Sequence, residues 1–142
     1  NLQELETVRR LNLPIKFFVL NNDGYASIRA AQQNYFEGRF VGSSRNSGLT
    51  LPDTLKVAAA YGLATAEIRN HSEVRERVRW ALEQRGPVVC EVRISPTQVT
   101  VPRVTSKQRP DGTMLTAPME DMCPFLDRKE FQANMLIPTV EE

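Results

Sequence analysis

Apolar and polar positions follow two different rhythms along this chain. In LQELETVRRLNL, Leu2, Leu5, Val8 and Leu11 recur at intervals of three with charged residues between them. That spacing predicts an amphipathic helix. A chain that opens inside such a pattern reads as a piece of something longer. Pro14 breaks the pattern. IKFFVL comes next, aromatic and β-branched with no polar alternation, and predicts a buried strand. SIRAAQQNYF predicts a short helix. Gly38, Gly42 and Gly48, with several serines, mark a long loop. LPDTLKVAAAYG predicts another helix, with Pro52 and Asp53 suited to its start and Gly62 to its stop. LATAEI predicts a short strand. HSEVRERVRWALEQRG is the clearest helical pattern: Ser72 is the candidate N-cap, Val74, Val78, Ala81 and Leu82 form the apolar face, and Gly86 ends it. PVVCEVRI predicts a second buried strand.

Strands alternating with helices predict an α/β fold. The expected form is a three-layer domain with a mostly parallel sheet flanked by helices, over residues 1–95. From Ser95 the character changes. Residues 96–142 hold six prolines and little periodicity. They predict an extended C-terminal arm with one short helix near DRKEFQANML. Met114, Met119, Met122, Phe125, Leu126 and Phe131 make the arm too apolar for plain disorder. It is expected to pack on the domain or on a partner subunit.

Composition narrows the function classes. The 142 residues are 41% hydrophobic and 25% charged, enough for one domain with a real core. A net charge of +1 argues against nucleic acid or an anionic membrane as the main partner. No apolar run approaches the roughly 20 residues of a membrane span. Cys90 and Cys123 lack metal-ligand spacing, and Cys90, inside PVVCEV, reads as a buried free thiol. No signal peptide is recognisable, so the cytoplasm is the expected compartment. His71, the single histidine, precedes the candidate cap of a surface helix and is a poor general base. Trp80 reads as core or a domain contact, and the EVRERVR charges as a solvated face. PDGT reads as an Asp-Gly turn and no more.

The stretch "VLNNDGYASIRAAQ" carries the candidate chemistry. Asn-Asp-Gly is common turn chemistry. The residues after it, ASIRAAQQNYF, read helical, so this is a strand-to-helix connection and not a hairpin. Ligands of open α/β sheets bind at such carboxyl ends, and a helix start offers unpaired N–H groups to phosphate. On the residues alone, both a plain connector and a ligand loop remain open. An Asn amide oxygen and a Gly carbonyl are hard, neutral donors that suit Mg²⁺ and not zinc. Arg29, just beyond, could meet a substrate carboxylate or phosphate, or form a surface or interface salt bridge.

With QNYFEGRFVGSS, LPDTLKVAAAYGL, RGPVVCEVRIS and RPDGTM…PMEDMCPFLDRKEF, the chain resembles one known family over essentially its whole length. That family is the thiamine diphosphate enzymes of the acetolactate synthase-like group, and the likeness is to the C-terminal half of their pyrophosphate-binding domain. The resemblance implies that Asn22 offers its side-chain oxygen, and Gly24 its carbonyl, to Mg²⁺. It implies a cofactor-binding run of Gly24, Tyr25, Ala26, Ser27 and Ile28, with the N–H groups of Ala26 and Ser27 on the diphosphate. Ile28 stands where some decarboxylases of the family carry a glutamate, which tilts the expectation toward carboligation. Asn21 should matter mainly for loop shape. The parent enzyme is then expected to decarboxylate a 2-keto acid and ligate the product to a second carbonyl, as a dimer or tetramer. The alternatives are a simple decarboxylase or a non-catalytic α/β binding module. The family's Gly-Asp-Gly motif and activating glutamate lie outside these residues, so no catalytic residue is assigned. This chain alone is expected to bind thiamine diphosphate weakly or not at all and to turn nothing over.

Overall fold

The computed structural model describes residues 1–137. Residues 138–142 of the predicted arm lie outside the described residues. Two units are distinguished, residues 1–98 and residues 99–142.

In the first unit, α1 (Glu4–Arg10), β1 (Lys16–Asn21), α2 (Ala26–Tyr35), α3 (Thr54–Ala60), β2 (Ala64–Ile68), α4 (His71–Glu83) and β3 (Val88–Arg93) occur in chain order. The strands form a parallel sheet in the order β1-β3-β2, so the last strand is the central one. Its central place accounts for PVVCEV: a strand covered on both faces favours a nearly continuous apolar run, here interrupted only by Glu91. Val88, Val89, Cys90 and Glu91 are all buried.

The period of two along β3 separates the layers. Val89 faces a cluster with Val8 of α1, Ala58 of α3 and Leu63, joined by Phe17 and Val19 of β1. Cys90 faces the other cluster, with Ala66 and Ile68 of β2 and with Val78 and Trp80 of α4. Thus α1 and α3 cover one face and α4 the other, the three-layer arrangement expected. On the α4 side β1 keeps Phe18 partly exposed and Leu20 62% exposed.

Several boundaries differ from the sequence expectation. Helix α1 is shorter than its pattern, and Leu2 and Leu11 are exposed. Asn12, at φ 48°, turns the chain out of the helix before Pro14 is reached. The cap of α4 is Asn70 and not Ser72: the Asn70 Oδ1 accepts from the Ser72 backbone N–H at 3.0 Å. An N-cap is typically extended, as Asn70 is (φ −155°, ψ 170°), whereas Ser72 lies inside the helix. Leu82, assigned to the buried face of α4, is 60% exposed, whereas Ala81 is fully buried. Asp53 caps α3 as expected, accepting from Lys56 N–H at 2.9 Å.

The second unit is less extended than its prolines suggested. Strands β4 (Ser106–Gln108) and β5 (Met114–Thr116) pair antiparallel. The Asp-Gly turn of PDGT joins them: Asp111 Oδ1 accepts from Thr113 N–H at 2.9 Å and Gly112 has φ 86°. The signal missed was a hairpin turn between two short β-prone runs. The predicted short helix is present as α5 (Arg128–Asn134). Among the described residues, no helix is long and apolar enough to cross a membrane.

Candidate functional site

Strand β1 ends at Asn21, and the chain turns through Asn22, Asp23 and Gly24 at the carboxyl end of the sheet before entering α2 at Ala26. Each residue of the turn has a distinct task. Asn21 closes it: its Oδ1 accepts from the Asp23 N–H at 2.9 Å. Its Nδ2 donates to Glu91 Oε1 at 3.0 Å on the neighbouring strand. Asp23 adopts φ 57°, a left-handed conformation that Asp tolerates better than most residues, and its carboxylate takes Arg45 Nε at 2.8 Å.

Gly24 is required sterically. A Cβ there would collide with the Ser43 carbonyl oxygen and the Arg29 guanidinium, and φ is 156°. The Ser43 carbonyl is close because it accepts from the Tyr25 N–H at 2.9 Å and from Arg29 Nη1 at 3.2 Å. Ser43 itself is fully buried. The loop from Gly38 to Gly48 therefore folds back on the turn instead of hanging free. Within it, the Ser47 hydroxyl oxygen accepts from the N–H groups of Ser43 and Ser44.

Arg29 forms no salt bridge among the described residues and is held by main-chain carbonyls. Its Nη2 donates to the carbonyls of Asn22 at 2.9 Å and Pro96 at 2.8 Å, and its Nη1 to those of Ser43 and Asp23. It is a main-chain clamp, with no carboxylate partner among the described residues.

Some groups in the turn remain without protein partners among the described residues. The Asn22 side-chain amide makes no hydrogen bond, nor does the Gly24 carbonyl. Asn22 and Gly24 are both half-buried. The N–H groups of Ala26, Ser27 and Ile28, the first turn of α2, likewise donate to nothing; Tyr25 supplies no side-chain cap. A helix start with free N–H groups attracts anions. Two neutral oxygens beside it are a donor set for a hard cation. Tyr25, Ser27 and Ile28 are exposed. Among the described residues no three His, Cys, Asp or Glu converge as a metal cluster.

Sequence reasoning missed the polar group beside the turn. On the α3 side of the sheet's carboxyl end lies a cavity of about 600 Å³, lined by residues including Asn21, Asp53, Thr65, Glu67, Glu91 and Arg93. Glu91 is 2% exposed. Its Oε1 meets Arg93 Nε at 3.0 Å as well as Asn21. Glu67 pairs with Arg69 at 2.8 Å and Arg93 at 3.1 Å. The hydrogen bond from Arg69 is the main reason its carboxyl titrates below the usual carboxylate range, with Arg93 adding to it against the cost of burial. The available signal was a carboxylate inside the otherwise apolar PVVCEV. Asn22 and Gly24 do not line this cavity.

This is an α/β domain with an oxygen-lined, N–H-rich turn at its strand ends. Residues 1–92 match the family described as thiamine pyrophosphate enzyme, C-terminal TPP binding domain, and the chain belongs to that family. Its relatives include the acetolactate synthase large subunit of Pyropia yezoensis, 29% identical over 73% of this chain and 17% of the relative. Acetolactate synthase 2, chloroplastic, of Zea mays is 26% identical over 75% of this chain and 17% of the relative. An acetolactate synthase of Arthrospira platensis is 27% identical over 73% of this chain and 18% of the relative. The chain thus spans under a fifth of the length of the curated relatives it matches.

Proposed function

We propose that this chain supplies part of the metal and diphosphate anchor of a thiamine diphosphate- and Mg²⁺-dependent enzyme, acetolactate synthase-like, that acts on a 2-keto acid. The observation that carries the proposal is the turn itself: two oxygens and three N–H groups without protein partners among the described residues, within seven positions at the end of β1. In this reading Asn22 Oδ1 and the Gly24 carbonyl bind Mg²⁺. Gly24, Tyr25, Ala26, Ser27 and Ile28 run along the cofactor, and the N–H groups of Ala26 and Ser27 hold diphosphate oxygens. The chemistry of the donors agrees, since Mg²⁺ prefers oxygen and is commonly shared with phosphates. When bound, thiamine diphosphate supplies the electron sink for loss of CO₂ from a 2-keto acid.

Ile28 is 44% exposed and has no proton to give. An aliphatic wall at that point favours ligation to a second carbonyl over simple release of an aldehyde. The relatives' description as acetolactate synthases supports the same choice. The enzyme is proposed to be a homo-oligomer, dimer or tetramer, which the apolar Phe18 and Leu20 on β1 support. Residues 96–142 are proposed as an arm that packs on the domain or a partner subunit, consistent with exposed Met119, Phe125 and Leu126. The proposed compartment is the cytoplasm; the Zea mays relative carries the description chloroplastic.

The test is product analysis of the full-length enzyme with pyruvate, thiamine diphosphate and Mg²⁺, beside its Asn22→Ala variant. Acetolactate from the wild type, and at least tenfold weaker cofactor retention in the variant, are expected. Acetaldehyde as the product would replace the ligase reading with a decarboxylase. Normal cofactor retention in Asn22→Ala would return the turn to a connector.

A further inference from the structure

We infer that Arg29 is a positioning residue that selects which main-chain oxygen of the turn faces the metal. The inference rests on the metal reading above and deepens it. Three successive carbonyls, of Asn22, Asp23 and Gly24, lie in the turn. Arg29 takes the first at 2.9 Å and the second at 3.4 Å. The third accepts from nothing among the described residues. A carbonyl oxygen aimed at a guanidinium is aimed away from a cation, because the two positive charges repel. Arg29 thus withdraws two of the three oxygens and leaves Gly24 to present the third.

The same side chain fixes where that oxygen sits. Its other two bonds go to Ser43, in the loop folded over the turn, and to Pro96, just past β3. Three chain segments converge on one planar fork. Arg29 reaches them only because Gly24 has no Cβ, which would occupy the space of Nη1. A lysine ammonium offers no such rigid fork and cannot engage four carbonyls spread around it. The charge has a second consequence. Arg29 pairs with carbonyls and with no carboxylate among the described residues, so its positive charge is not cancelled locally. It stands in the first turn of α2, next to the free N–H groups, and adds to the field that draws a diphosphate.

The experiment compares wild-type full-length enzyme with Arg29→Lys and Asn22→Ala, measuring thiamine diphosphate affinity with Mg²⁺ and with Ca²⁺. Arg29→Lys should lower Mg²⁺-supported affinity at least tenfold and Ca²⁺-supported affinity distinctly less. The released carbonyls of Asn22 and Asp23 suit the larger ion, which takes more oxygen ligands. In Arg29→Ala, millimolar guanidinium should restore Mg²⁺-supported binding; this second variant also serves if Arg29→Lys does not fold. An equal fall with both ions, with no guanidinium rescue, would make Arg29 a purely structural residue and overturn the inference. So would unchanged affinity in Arg29→Lys while Asn22→Ala loses the cofactor. If Asn22→Ala itself keeps the cofactor, the metal reading falls and this inference with it.

Discussion

Gly24→Ala tests whether the turn is held by close approach or merely by a flexible backbone. The substitution adds one carbon. That carbon would overlap the Ser43 carbonyl oxygen and Arg29 Nη1. Neither neighbour can retreat freely. The Ser43 oxygen is held by the Tyr25 N–H at 2.9 Å and by Arg29 at 3.2 Å, while Nη1 also reaches the Asp23 carbonyl at 3.4 Å. Relief of the overlap costs two or three hydrogen bonds, each about 0.5–1.5 kcal/mol net. The backbone conformation adds about 1–3 kcal/mol of strain for an L-residue. The expected destabilisation is therefore about 2–7.5 kcal/mol, a large share of the ~5–15 kcal/mol typical of a domain. Gly42 is the matched control. It also has positive φ, at 59°, yet a Cβ there meets nothing within 4 Å. Gly42→Ala should cost only the left-handed backbone strain, about 1–2 kcal/mol. Urea denaturation monitored by circular dichroism measures both variants. Equal losses at the two glycines would refute the steric argument and leave only backbone freedom to explain Gly24.

Two further predictions concern buried groups. Glu91→Leu should destabilise by about 1–3 kcal/mol, because the Asn21 amide loses its acceptor. Glu91→Gln keeps an oxygen there and should cost less than about 1 kcal/mol; equal losses on urea denaturation would place the role of Glu91 elsewhere. Cys90 is 1% exposed and burial pushes its thiol pKa up, whereas Cys123 is half-buried, and both are free. A thiol reagent at pH 8 should therefore modify Cys123 in the native chain and Cys90 only on unfolding; two fast native thiols would contradict that core assignment.

Local pattern determined much of this protein. The apolar runs at 17–20 and 88–92 became strands because only buried β structure suits them, and the 3.6-residue pattern of 71–83 became α4. NNDG was legible as a strand-to-helix turn, since no second strand came directly after it. The resemblance to thiamine diphosphate enzymes was legible as well, because the order of its short motifs survives in sequence even where no single motif is specific. Contacts between distant residues were not legible. Nothing local says that Arg29 bonds to Pro96, or that Asn21 finds Glu91, 70 residues later. Those partners depend on strand order, and β3 lies between β1 and β2 only after the chain has crossed over twice. Sequence places donors and acceptors along a line, with their chemistry fixed. Tertiary folding decided which of them were consumed: it took the carbonyls of Asn22 and Asp23 for Arg29 and left the Asn22 amide and the Gly24 carbonyl without a partner among the described residues.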